Sequence, residues 1–199
     1  MSVAQSPVSV VTSLDDARVG VYRNIRDADL RGRRHLCMVE SELVVRRLLN
    51  SNWKIHSLFL SPQKYERLKP HLGKIDVPIF VADISLMSEI TGFYIHRGVL
   101  AAVHRDCANS PIDINSFIEE LDIKQSFSIL LAEGITNIDN IGTLFRNAAG
   151  FGVDGIILNG TCCDPLYRKS IRVSMGHVFS IPWTISNDWQ QDLRMLKTK

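Results

Sequence analysis

The chain has 199 residues, a formal charge of +2 and a pI near 8.4; its 45% hydrophobic residues suffice to bury one average core or two small ones, which excludes a disordered polymer. Four cysteines without a C-x-x-C pair, no histidine beside them at metal-ligand spacing, no basic leader ahead of an apolar run and no apolar stretch near the roughly 18 residues that span a bilayer exclude the disulfide, zinc, secreted and membrane classes. The expectation is a soluble cytoplasmic protein with reduced thiols, no metal and no membrane partner.

Residues 1–18, MSVAQSPVSVVTSLDDAR, have no clean period and read as a flexible lead-in. Arginine then crowds: Arg23, Arg26, Arg31, Arg33, Arg34, Arg46 and Arg47 outnumber Asp27, Asp29, Glu40 and Glu42. Interspersed acids allow a solvated face laced with ion pairs, and an RNA-contacting face is the other reading. Leu43, Val44, Val45, Leu48 and Leu49 recur at helical spacing over Glu40–Leu49, with Asn50 as the stop. A strand follows at Ile55–Leu60, then a helix at Tyr65–Leu72, a strand at Val77–Val81, a short helix at Ile84–Ile90 and a returning strand at Val99–Val103. This is a small α/β unit over residues 19–105, closed by a linker at 106–112.

In residues 113–199 the apolar run Ser128–Leu131 reads as a buried strand whose end opens into Glu133–Asn140, EGITNIDN. Open parallel sheets bind ligands beyond the carboxyl ends of their strands, so function is sought there. A helix is predicted over Ile141–Gly150, a strand over Gly155–Leu158, and a helix starting at Pro165, capped by Asp164 and stopping by Gly176. Val178–Ile181 reads as a further strand and Asp188–Met195 as a helix whose following strand never comes.

Two clusters carry chemistry. In NIGTLFRNAAGFG, starting at Asn140, Gly142 permits a close approach of ligand or backbone, Ala148, Ala149 and Gly150 allow tight packing, and Arg146 is within reach of an anion at the helix mouth. The plain alternative has Asn140 as a cap and Arg146 in a surface ion pair. In DPLYRKSIRVSMG, starting at Asp164, the cations Arg168, Lys169 and Arg172 share roughly one helix face. His96 reads as a half-buried side chain supporting a turn, and Arg97 beside it as a candidate RNA contact.

In order and separation the two clusters resemble the first two signature motifs of the SpoU (TrmH) branch of the SPOUT methyltransferases, N-x-G-x-x-x-R-x-A-x-x-F-G and D-P-x-x-x-K-x-x-R-x-S-x-G. Upstream, Val39-Glu40 and TGFYIHRGVLA, from Thr91 to Ala101, are similar to the substrate-binding domain that precedes the catalytic domain in many members. The resemblance implies an RNA-binding-type α/β domain followed by a SPOUT parallel-sheet domain that is incomplete at its C-terminus, with the third motif and the cofactor-binding residues expected beyond Lys199. It implies methyl transfer from S-adenosylmethionine to a ribose 2′-hydroxyl of rRNA or tRNA, by a homodimer. The implied catalytic group is Arg146, with Asn140 near the hydroxyl and Glu133 bracing the loop. RNA contacts fall to Arg23, Arg26, Arg33, Arg34 and Arg97, and at the substrate end to Lys169, Arg172 and Ser174.

Guanidinium hardly ever deprotonates, so Arg146 is read as phosphate clamp and oxyanion stabiliser rather than base. Because the third motif is not found, the 199-residue chain is expected to be inactive alone, and the alternative is a non-catalytic RNA-binding descendant. A doubly wound nucleotide-binding enzyme is disfavoured, since no G-x-G-x-x-G follows a strand.

Overall fold

Strands that are apolar without alternation need cover on both faces, and the chain provides helices for this purpose twice. The computed structural model describes residues 7–25, 35–73, 75–105, 114–122 and 126–197, which divide into two units, residues 1–106 and 107–199. Both units are α/β with parallel strand pairs. The predicted linker at 106–112 lies outside the described residues.

In the first unit the strands β1 (Val8–Val10), β2 (Leu36–Glu40), β3 (Ile55–Leu60), β4 (Ile79–Val81) and β5 (Val99–His104) take the spatial order β1-β4-β3-β5-β2. The pairs β1/β4 and β4/β3 are parallel, and β5 is antiparallel to β3 and β2. Helix α1 (Glu42–Leu49) buries Val44, Val45 and Leu48, the stripe its spacing predicts, and ends at Asn50. Helix α2 (Pro62–Leu72) starts three residues before Tyr65, because Pro62 suits the first helical turn and the Ser61 hydroxyl accepts the Lys64 N–H. Helix α3 (Ile84–Thr91) stops at Gly92, φ 76°. One face of the sheet buries Tyr22, Met38, Phe59, Phe80, Met87, Ile90 and Leu100. Within it the Tyr22 hydroxyl hydrogen-bonds Ser57 Oγ at 2.9 Å, and burial raises the Tyr22 pKa.

Within the stretch read as a flexible lead-in, β1 joins the sheet edge, Val8 opposite Ile79. Val8 and Val10 are 44% and 67% exposed, so backbone pairing rather than a buried face holds the strand, and no apolar pattern announces it. Leu36–Val39, unassigned from sequence, and Glu40, expected to open the helix, likewise form a strand, almost wholly buried against β5.

Among the described residues the second unit has three parallel strands, β6 (Ile129–Ala132), β7 (Gly155–Asn159) and β8 (Trp183–Ser186), with the fully buried β7 in the middle. Its helices are α4 (Ile114–Asp122), α5 (Ile138–Gly150), α6 (Arg168–Val173) and α7 (Trp189–Leu196). Phe117 and Ile157 pack with Trp189 and Leu196, and Phe145 meets the Trp183 ring edge-on at 6.0 Å. Helix α7 begins where Asp188 caps it, accepting the Gln191 N–H at 3.1 Å.

Two expectations fail here. Val178–Ile181 is no strand: after Gly176, φ 83°, residues His177–Phe179 form a 3-10 turn that buries Val178 and Phe179. Pro182, which has no N–H of its own, offers its carbonyl to Ile156 N–H (3.0 Å), and the ladder runs from Trp183 onward. The helix expected from Pro165 begins at Arg168, because Asp164 Oδ1 takes the Leu166 N–H at 2.9 Å and turns the chain first. Among the described residues no helix is long and apolar enough to cross a membrane.

Candidate functional site

Beyond the carboxyl ends of β6 and β7 the two loops are stitched together. Asn159, the last residue of β7 and 7% exposed, accepts at Oδ1 from Gly134 N–H (3.1 Å), the Thr161 hydroxyl (2.8 Å) and Thr161 N–H (3.3 Å). Cys162 Sγ donates to Ala132 O at 3.3 Å, and Cys163 N–H to Ile135 O at 2.8 Å. Burial, with Cys162 alongside, pushes the Cys163 thiol pKa up, which suits a structural thiol rather than a nucleophile. Gly134, φ 65°, makes the turn, and Glu133 stands exposed ahead of it.

The cap of α5 is Asn137: its Oδ1 accepts the N–H groups of Asp139 (2.8 Å) and Asn140 (3.1 Å). The helix therefore starts three residues before Ile141, and Asn140 does not cap it. Asn140 lines a shallow hollow of about 410 Å³ with Leu130, Thr143, Leu144, Asn147 and Phe151.

The two sequence clusters meet where α5 packs on α6. A Cβ on Gly142 would lie 2.7 Å from Ser170 O and 2.8 Å from Val173 Cβ, so only glycine allows this approach. Across the junction the Ser170 hydroxyl donates to Ile138 O at 3.0 Å, and Lys169 Nζ bonds Asp139 Oδ2 at 2.8 Å. Arg146 is exposed seven residues on from Asp139, hence on the same line of α5, and Arg172 lies three residues on from Lys169. At 3.6 residues per turn, Asn140 is about 120° around the helix from Arg146. The junction thus joins Asp139 to Lys169, and the helix turn sets Asn140 and Arg146 on different faces of α5. Nothing in the sequence singled out Asp139, an ordinary acid in a first helical turn.

Ser174 departs from its expected role. It is 1% exposed, its hydroxyl donates to Ile171 O (2.8 Å) and accepts Gly176 N–H (3.2 Å), and it shapes the end of α6 instead of facing RNA. In the first unit Arg23 is exposed with its guanidinium donating to Leu14 O. Arg97 is exposed; His96, read as half-buried, is exposed too, 4.5 Å from the Tyr94 ring and edge-on to it. Arg46 follows the ion-pair reading: Glu42 receives Arg46, Lys64 and Arg67, each at 3.0 Å. Arg26, Arg33 and Arg34 lie outside the described residues.

Residues 128–199, which hold both clusters and the α5–α6 junction, match the SpoU rRNA Methylase family. The chain belongs to this family. It is 34% identical over 194 residues to an uncharacterized tRNA/rRNA methyltransferase of Mycobacterium tuberculosis, an alignment covering 96% of this chain and 65% of the relative. The chain therefore spans 65% of the length of that relative. The mitochondrial rRNA methyltransferase 3 of Xenopus tropicalis is 25% identical over 80% of this chain and 37% of its own length. In fold it is similar to the AdoMet-bound rRNA methyltransferase of Sinorhizobium meliloti (TM-score 0.71, 24% identity, 96% of this chain and 69% of that one). The SpoU methyltransferase AviRb of Streptomyces viridochromogenes, in complex with AdoMet, is also similar (TM-score 0.68, 20% identity, 92% and 67%).

S-adenosylmethionine, which SpoU membership implies, does not find a holding set in these loops. The Asn159 carboxamide oxygen, the Gly134 and Thr161 amides and the Cys162 thiol serve the loops themselves. The α5–α6 junction carries the Asp139–Lys169 ion pair, with Arg146 and Arg172 further along the same two helices.

Proposed function

We propose that this SpoU chain serves an RNA methyltransferase that modifies a ribose 2′-hydroxyl of rRNA or tRNA, with S-adenosylmethionine as donor, in a cytoplasmic homodimer. The observation that supports this reading is the junction at Gly142, which brings Lys169 to 2.8 Å from Asp139 and so joins the two motifs. A ribose hydroxyl is a poor nucleophile and needs its developing oxyanion stabilised. The Arg146 guanidinium supplies that stabilisation and clamps a neighbouring phosphate. Asp139 orients the Lys169 ammonium, and Arg172 extends the positive face along the RNA backbone. Glu133 braces the loop at the end of β6. An unpaired, splayed nucleotide is the substrate form such a face admits.

The test is methyl incorporation from radiolabelled S-adenosylmethionine into rRNA and tRNA, followed by alkaline hydrolysis, which a 2′-O-methyl linkage resists. In a version extended to the full length of its relatives, Arg146→Ala is expected to lose roughly 100-fold or more in turnover while its unfolding midpoint stays put, because the residue is exposed. Methyl groups found on bases, or an Arg146→Ala protein with full turnover, would refute the proposal.

A further inference from the structure

Tyr94 lies in the loop that joins α3 to β5, and the loop is anchored on both sides of it. Thr91 Oγ1 donates to Phe93 O at 3.1 Å, and Phe93 packs against the first unit's core. Ser88 Oγ accepts the Ile95 N–H at 3.0 Å, and Ile95 is 5% exposed. Further on, Gly98 O accepts the Ser61 N–H at 2.9 Å, and a Cβ on Gly98 would meet Ser61 Oγ at 2.6 Å. Between these anchors the Tyr94 ring remains 69% exposed, touching His96 edge-on. A large aromatic on a loose loop folds down onto the surface; one on a pinned loop is held in water.

Its surroundings select the ligand. His96 and Arg97 are exposed beside it in the chain, so the ring sits on a polar, cationic ridge. Phe151, 84% exposed, is the contrast: it borders a hollow lined by Leu130, Leu144 and Val153, the composition that protein covers. The Gly98–Ser61 contact also sets the Tyr94 loop against the first turn of α2, where Lys64 shares Glu42 with Arg46 and Arg67. Three cations on one carboxylate leave a local surplus of positive charge.

We propose that Tyr94 is a stacking platform for an unpaired RNA base, with Arg97 and the Lys64–Arg67 edge of α2 receiving the flanking phosphates. This rests on the reading of the chain as an RNA enzyme and narrows it: the first unit selects single strands over duplex. Every base offers a π-face, so an aromatic ridge flanked by cations binds single strands with little sequence preference, whereas a duplex hides its faces.

The experiment uses the full chain and fluorescence anisotropy with a single-stranded RNA of roughly ten nucleotides and a duplex of the same sequence. Tyr94→Ala is expected to weaken single-strand binding by roughly 5- to 150-fold and duplex binding by less than about twofold. Tyr94→Phe, which keeps the ring, should stay within about twofold of the parent, and equal melting temperatures exclude misfolding as the cause. Unchanged single-strand affinity in Tyr94→Ala, or an equal loss on duplex, overturns the platform while leaving the Arg146 reading standing. A parent chain that binds neither RNA overturns the platform and the assignment of RNA to this unit together.

Discussion

Replacing Gly142 with alanine tests the packing on which the candidate site depends. Alanine favours a helix interior over glycine by about 1 kcal/mol, so an unobstructed position would gain stability. Here the added Cβ meets Ser170 O at 2.7 Å, Val173 Cβ at 2.8 Å and Val173 Cγ1 at 3.0 Å. The first of these is backbone, and reaching the 3.4 Å of ordinary contact requires α6 to retreat by about 0.7 Å. Overpacking of this kind costs about 1–3 kcal/mol. The retreat also breaks the hydrogen bond from Ser170 Oγ to Ile138 O, worth about 0.5–1.5 kcal/mol. Net of the helix gain, Gly142→Ala is expected to destabilise the second unit by about 1–3 kcal/mol, a fall of about 1 M in the urea midpoint. Gly150→Ala, in the same helix with nothing within 4 Å of its Cβ, should instead gain up to about 1 kcal/mol. Equilibrium urea unfolding followed by tryptophan fluorescence reads both variants. A Gly142→Ala protein as stable as its parent would refute the close approach, and with it the alignment of Lys169 on Asp139.

Ser41, φ 79° and ψ 145°, is 6% exposed and holds a conformation that glycine tolerates, and its side chain makes no capping hydrogen bond to α1. Ser41→Gly should therefore release about 1 kcal/mol of strain and raise the melting temperature of the first unit by about 5 °C; a lower melting temperature would contradict the strain. Asn159→Ala leaves the Gly134 and Thr161 donors without their shared acceptor, and calorimetry should find a loss of about 1–3 kcal/mol. For Glu42, burial pushes the carboxyl pKa up, but hydrogen bonds from Lys64 and Arg46 outweigh it and hold the pKa below the ordinary glutamate value. Its stabilising contribution is thus fully present above the ordinary value of 4.5 and is lost as pH falls through the lower folded value. Glu42→Gln should be less stable than the parent at neutral pH, and the gap should close on acidification; a gap independent of pH would sink this account.

Much of the architecture is legible in local pattern. The stripe Val44, Val45, Leu48 announces α1, the uninterrupted apolar run Gly155–Leu158 announces the central strand β7, and Asp188 announces the start of α7. The spacing of Asn140, Gly142 and Arg146 against Lys169 and Arg172 resembles the family's first two motifs, and the segment that matches the family, residues 128–199, contains all five. Local pattern misleads where the partner is distant or the backbone does the bonding. The strand β1 shows solvent its valines and is held by its pairing with β4; the apolar run at Val178–Ile181 is buried just as well by a 3-10 turn. The plain reading of the sequence has Asn140 as a cap, but hydrogen-bond geometry puts Asn137 there, and the Ser174 hydroxyl turns inward to the end of α6.

Sequence by itself determined the α/β class and the cations available, since these follow from periodicity and residue type within one segment, while the family came from the resemblance of two motifs. Only the tertiary structure decided that Asp139 holds Lys169, thirty residues away. That outcome depends on how closely α5 approaches α6, and a missing Cβ at Gly142 sets that distance.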